Sequence, residues 1–413
     1  MLFTPTRSAG LARLAQFLPN AGKAYEATRN FDDAVQDDGL RANVSQLSPW
    51  LHAGLISETE VIDFVLGSHS MRTADKFIAE VFWRIYFKGY LEQRPSIWHS
   101  YCRDRDAAHR RMAGNTGLQT AYTEATQGRT GIAAFDHWAR ELVETGYLHN
   151  HARMWFTSIW IFTLKLDWQL GADFFLRHLV DGDAASNTLS WRWVGGLHTK
   201  GKTYLARPDN IERYTANQPT GPLIAQGLAN EATPLEEATE HKRTAINFPG
   251  EFEPPAKFAL LLHDEAAHHG AIDLPSEPKL VIGAARPEAR SPEPIGNAAC
   301  KFALEAVAHG VAEAGEAFQC PTANWAEDAS IRDILTQAEI THIVTPYLPT
   351  SWTRDALIGE LSTYNEKGHL QFLVSNVNRA TWPFAKAGFF GVKKKIEPIL
   401  AELGISGRAP ASF

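Results

Sequence analysis

Cysteine is scarce in this chain: Cys102, Cys300 and Cys320 are far apart and odd in number. That spacing fits no thiolate metal site, and an iron–sulfur cluster held by thiolates alone needs a fourth. Reduced thiols in a cytoplasmic protein are what it implies. A long apolar run is also missing. The most apolar stretch, 154–166, is broken by Thr157, Ser158, Thr163 and Lys165. It falls short of the roughly 20 apolar residues that cross a bilayer, so a core helix is expected there and no membrane contact. The opening MLFTPTRSAGLARLAQFLPNAGKAY has neither an apolar h-region nor a small-residue cleavage site, which argues against export. No metal ligand set is assigned: His149 and His151, two apart on a helix, point to different faces.

What is present is the composition of a folded protein, with 44% hydrophobic and 21% charged residues over 413 positions. Single cores stop growing at roughly 250–300 residues, so two domains are expected. Charge divides unevenly between them. Residues 1–215 carry 24 Lys+Arg against 23 Asp+Glu, and residues 216–413 carry 16 against 24. An acidic second half is a poor face for a polyanion, so a nucleic-acid partner has to meet a local basic patch.

From Arg7 to Arg192 almost every segment has apolar residues at helical spacing, and strand signals are absent. Ser57 before ETEVIDFVL, with Glu60 three residues on, predicts a capping box. Residues 216–257 hold six prolines and no sustained period, and are read as a linker. Beyond it the period changes. FALLLHDE (258–265), KLVIGAA (279–285), ITHIVTPY (340–347) and LQFLVSN (370–376) have the continuous apolar character of buried parallel strands. Helical stretches at 300–314, 330–338 and 354–366 separate them. The expected fold class is therefore α + α/β: an all-helical domain over 1–215, a linker, and a Rossmann-like, doubly wound parallel domain over 258–405. That half contains no G-x-G-x-x-G or Walker phosphate loop.

The densest chemistry lies in HNHARMW (149–155), DW (167–168) and DGDAASNTLSWRW (181–193). Taken alone, DGD caps a helix and Trp191 and Trp193 are core aromatics. Together with YEATRNF (25–31), SQLSPWLHAGLIS (45–57), EVFWRIYF (80–87) and QGRTGIAAFD (127–136), these blocks resemble the flavin domain of DNA photolyases and cryptochromes. The order and spacing match from about Tyr25 to Tyr214.

The resemblance implies a buried FAD and a site for UV-damaged DNA, with the lesion flipped out of the duplex. Tyr25, Ser45, Gln46, Leu47 and Ser48 are implied as the diphosphate cradle, and Ser48 before Pro49 opens a helix suited to anions. Arg84 is implied as a further cation at the cofactor, Arg153 and Asp181 as an ion pair beside its ring system, and Asp183 as a partner of its polar edge. Asn187 falls where a neutral amide faces flavin N5, which favours repair over signalling. Glu80, Trp83, Asn150, Met154 and Trp193 match the pocket for a cyclobutane pyrimidine dimer. His151 replaces an arginine common in the family. The family's tryptophan relay is matched by Trp191 and Trp168, and its outer, surface member by Ala125, with Trp138, Trp155 or Trp160 as substitutes.

The family places an α/β antenna domain before the flavin domain. Residues 1–24 leave no room for one, and the later α/β half resembles it loosely, so a circular permutation is expected, its antenna pigment unassigned. The implied activity is that of a cytoplasmic, monomeric deoxyribodipyrimidine photolyase. The alternatives are a cryptochrome-like blue-light receptor, for which the tail GRAPASF is short, and a dark flavoenzyme, for which no nicotinamide site is offered.

Overall fold

In a computed structural model, residues 2–250, 255–326 and 328–407 are described; the tail beyond Gly407 lies outside them. Residues up to Tyr214 form helices and no strand among the described residues. Ser57 accepts from the Glu60 backbone while Glu60 returns a bond to Ser57, the reciprocal cap that fixes where the Glu58–Leu66 helix begins. The longest helix of this half, Met71–Glu92, starts at Ser70, whose side chain accepts from the Thr73 N–H. The apolar run at 154–166 forms the end of the Asn150–Ser158 helix and a π-helical turn, Ile159–Thr163, with Ile159 to Phe162 all buried. It is a core element. No helix among the described residues is long and apolar enough to cross a membrane.

Five parallel strands make the second layer: β1 Phe258–His263, β2 Leu280–Ala284, β3 Thr322–Asn324, β4 His342–Pro346 and β5 Leu370–Leu373. Their order is β3-β2-β1-β4-β5, with Leu260 opposite Val281 on one side and Val344 on the other. Every residue of β1 and β2 is buried. Burial on both faces is why these strands are apolar throughout and do not alternate. Helices Asn297–Phe318, Ile331–Gln337 and Trp352–Glu366 cross between strands. The sheet reverses its winding between β1 and β4, and the loops after those strands face the helical half.

The stretch 216–250 has no regular structure, yet it is strapped to the helices. The Ile224 carbonyl accepts from Ala134, Leu235 donates to Gly195, and Glu237 pairs with Arg192. The two halves also share core. Trp352 joins the cluster around Trp155, Trp160 and Trp191, and Phe302, Val377, Trp382 and Phe389 join the one around Phe77, Phe82 and Tyr86.

Candidate functional site

Three helices, Met71–Glu92, Asn150–Ser158 and Ala184–Val194, pack together with the last in contact with both others. The loop leading into Ala184–Val194 carries the DGD sequence. Asp183 is the helix N-cap and accepts from the Ser186 N–H at 2.7 Å. Its other oxygen lies 3.0 Å from Arg84, 3.7 Å from His52 and 3.9 Å from Lys88. Burial alone would raise this carboxyl, but Arg84, His52 and Lys88 outweigh it and hold it well below the usual range. Arg84 is shared, with Glu58 at 3.1 Å. Its charge is thus divided between two carboxylates.

Arg153 grips Asp181 through two nitrogens, at 3.3 and 3.0 Å, and its Nε donates to the Leu148 carbonyl at 3.0 Å. Burial pushes Asp181 up; Arg153, the Ser48 hydroxyl and His52 pull it further down, below the ordinary value. Asn187, one turn past Asp183, is buried and donates to the Ala172 carbonyl at 2.8 Å. The structure thus brings Ser48, Arg153, Asp181, Asp183 and Asn187 around one loop and helix start.

Ser45 to Ser48 enter this site on a bent loop. Gln46 has a left-handed φ of 52°, a conformation that costs a side-chain-bearing residue about 1–2 kcal/mol. Arg13 holds the bend through the carbonyls of Ser45, Arg41 and Val44 at 2.8, 2.7 and 2.8 Å, and the Gln46 side-chain oxygen, Oε1, accepts from the Arg41 N–H. Leu47 is buried in the core beside it. Two buried polar atoms here have no hydrogen-bond partner: Gln46 Nε2 and His52 Nε2. Such orphans cost about 1–3 kcal/mol each unless something polar meets them. They fit a polar, nitrogen- and oxygen-rich cofactor.

The α/β half reaches the same loop. Trp352 Nε1 donates to the Gly182 carbonyl and Arg290 to that of Leu179, each at 2.9 Å, and the Arg290 guanidinium lies 4.9 Å over the Trp352 ring. A Cβ at Gly182 would lie 2.5 Å from the Arg290 guanidinium, so a larger residue there has to displace that side chain. Glu265 pairs with Lys88 at 2.7 Å and accepts from the Ser351 hydroxyl. Arg290, Trp352, Glu265, Lys88 and His52 are absent from the sequence reading. They are scattered single residues whose meeting depends on how the halves dock, and no local pattern announces them.

A second group lies around Glu80. Arg29 pairs with Glu80 and also hydrogen-bonds the Tyr25 hydroxyl, so Tyr25 stands with Glu80. Burial raises the Glu80 carboxyl, and Arg29 offsets this only in part. His149 and His151 turn to the carbonyls of Arg29 and Asn30, at 3.0 and 2.7 Å, and His151 stacks on Trp155 at 4.9 Å. On the same helix Asn150 is exposed and Met154 half-buried. Trp193 stacks on Tyr204 at 5.8 Å. Trp83 stacks on Phe389 at 4.1 Å and 16°. One face of that indole, read as a wall for a base, is therefore covered by a residue of the α/β half.

Trp191 lies 6.2 Å edge-on from Trp160 and 5.2 Å from Phe175, while Trp168 stands 5.6 Å from Tyr101. Ala125, at the position matched to the relay's outer member, is 0% exposed. Trp160 is also fully buried and does not supply a surface terminus.

The helices thus converge on two arginine-bound aspartates and dock against a parallel α/β layer. Residues 77–229 match the family model for the FAD binding domain of DNA photolyase. The Streptomyces griseus deoxyribodipyrimidine photo-lyase is 33% identical over 190 residues, 43% of this chain and 40% of that protein. The Synechococcus protein of the same name is 30% identical over 199 residues, 46% of this chain and 38% of its own length. A solved class III photolyase from Agrobacterium tumefaciens is 26% identical at a TM-score of 0.42, covering 51% of this chain and 43% of that one. Over its helical half the chain is thus similar to photolyases, and residues 77–229 carry the match to their FAD binding domain. The chain spans about two fifths of the curated relatives it matches.

Proposed function

We propose that the helical half holds FAD and that the protein, a cytoplasmic monomer, splits cyclobutane pyrimidine dimers in UV-damaged DNA under blue light. The observation that carries this reading is the pair of buried aspartates, each bound by its own arginine, with Asn187 one turn beyond. When bound, reduced FAD supplies the light-excited electron.

The residues divide the remaining work. Ser45, Gln46, Leu47 and Ser48 bound the diphosphate end, where the Gln46 amide and the start of the Ser48–His52 helix offer N–H donors. Arg153 and Arg84 keep Asp181 and Asp183 ionised and fixed, so each presents an acceptor of known direction. Asn187 offers an amide that neither gives nor takes a proton near neutral pH. Glu80 offers its carboxyl to the lesion, while Arg29 and Tyr25 set its position. Asn150, His151, Met154, Trp83 and Trp193 form the rim around a flipped lesion. Trp191 and Trp168 are the proposed inner steps of flavin reduction. The α/β half is read as the family's antenna layer placed after the flavin domain. A cavity of about 820 Å³ opens at the carboxyl ends of its strands, lined by Glu265, Tyr347 and Trp382 among others, and is the natural seat for a second pigment at the β1/β4 reversal.

The test is direct: reduced, FAD-loaded protein is illuminated with dimer-bearing DNA and dimer loss is counted. Loss that needs light and is greatly reduced in Glu80→Ala supports repair; intact dimers refute it. A second reading, a cryptochrome-like receptor without repair, is favoured by the Phe389 ring stacked on Trp83. It predicts light-dependent binding of a partner and no dimer loss.

A further inference from the structure

The segment 376–396, NVNRATWPFAKAGFFGVKKKI, carries five cations and no carboxylate, inside the half of the chain that is acidic overall. It is clamped to the Met71–Glu92 helix and the turn after it. Gln93 Nε2 donates to the Trp382 and Ala385 carbonyls at 2.9 and 3.1 Å, Arg94 to that of Lys386 at 2.6 Å, and the Tyr86 hydroxyl to that of Ala387 at 2.6 Å. Trp382 packs so close to Gly89 that a Cβ there would lie 2.5 Å from the indole. Phe389 is anchored on Trp83, and Lys393 on Asp75 at 3.1 Å.

What this clamp displays is unlike ordinary surface. Phe390 is 77% exposed and Phe384 37%. Lys386, Lys394 and Lys395 are exposed, and no ion pair among the described residues engages them. Lys395 lies 5.4 Å over the Phe384 ring. Exposing a phenylalanine on a fixed backbone forfeits burial, and pairing it with unneutralised lysines suits a ligand with flat apolar faces and a regular row of anions. The position narrows this further, because Phe389 and Lys393 place the segment beside Trp83 and within electrostatic reach of Glu80.

We infer that 383–395 is a DNA-contact element contributed by the α/β half. Lys386, Lys394 and Lys395 meet phosphates flanking the lesion, and Phe390 stacks on a base exposed where the duplex opens. This rests on the repair reading above and extends it, since the lesion's flank would be held by a different half of the chain from the lesion itself.

The experiment compares wild type, Phe390→Ala and the triple variant Lys386→Gln/Lys394→Gln/Lys395→Gln, all in FAD-loaded protein. Binding to a dimer-bearing duplex is followed by anisotropy across a salt series, and light-driven repair of a dimer-bearing dinucleotide, too short to reach the segment, is measured alongside. The triple variant is expected to weaken duplex binding at least tenfold and to flatten the log–log salt slope by about 3, one per lysine. Phe390→Ala should weaken duplex binding about fivefold with the slope unchanged, the loss of one stacked base. Dinucleotide repair should stay at the wild-type level in both. Unchanged duplex affinity and slope in variants of a wild type that does repair the dinucleotide overturn this inference alone, as they would if the segment served an acidic protein or a second copy. Tighter duplex binding in Phe390→Ala also overturns it, marking the segment as a plug. A wild type that neither binds the duplex nor repairs the dinucleotide overturns this inference and the repair reading together.

Discussion

The helical half and the α/β half became readable in different ways. In the first, chemistry sits in short contiguous blocks: HNHARM places Arg153 and DGD places Asp181 and Asp183, and each functional side chain lies at or near a helix start. In the second, the layout is plain but the residues that matter are isolated. Arg290 and Trp352 touch the DGD loop from more than 100 residues downstream, and only docking gives them a role. The contrast teaches that a site built on helix termini can be read locally, while the wall that closes it from another domain cannot.

The largest expected effect tests whether the halves are separable. Trp352→Ala removes a fully buried indole from the shared core and the donor to Gly182. It should cost about 3–5 kcal/mol, and urea unfolding should show both halves weakened, with FAD content falling in parallel. A separate α/β transition with normal FAD content would break the proposed union. Next is Arg153→Ala, which strands Asp181 in a buried site. A loss of about 3 kcal/mol is expected, with Asp181→Asn in the same background restoring much of it; both are measured by thermal melting.

Acid sharpens the comparison. Burial depresses His149, His178 and His198 in the helical half to about 4, and does the same to His263 in β1. The unfolded chain binds protons on these rings from about pH 6.5 downward and the folded one does not, so stability is lost as pH falls from 6.5 towards 4. The slope is up to about 1.4 kcal/mol per pH unit for each ring. Asp264 and Glu141, raised to about 7 mainly by burial, work the other way and favour the fold as pH falls below 7. Asp264 therefore opposes the His263 effect in the α/β half, while in the helical half Glu141 and Glu80 oppose the three rings only in part. Hydrogen exchange between pH 6.5 and 4.5 should show the helical half loosening first; equal loosening would contradict the assignment. The smallest effect is at Glu80, whose pair with Arg29 is about a third exposed. Glu80→Gln should change stability by less than about 1 kcal/mol while lowering dimer repair, so a large shift in melting temperature would recast Glu80 as structural.

These residues also show where sequence reading stops. β1 was legible because six consecutive buried positions demand a continuous apolar run. β3 was not: Thr322–Asn324 is three residues long, polar and largely exposed, and takes its place from pairing with β2. The capping box at Ser57 was legible because its partners are three residues apart. Burial of Ala125 was not, since a small residue reads the same in a core as on a surface. Neither was the sharing of Arg84, which needs Glu58 and Asp183 brought in from different turns of the chain. The stacking of Phe389 on Trp83 joins residues 306 positions apart in a way no motif records.

The claim on which the rest depends is that the loop and helix start around Asp181, Asp183 and Asn187 form a seat for FAD. Titration of the purified apoprotein with FAD, followed by flavin absorbance and fluorescence quenching, tests it most directly. The account predicts saturation at a single FAD per chain, with affinity greatly reduced in Asp181→Asn. A wild type that binds no FAD, or an Asp181→Asn variant that binds it as tightly, would contradict it.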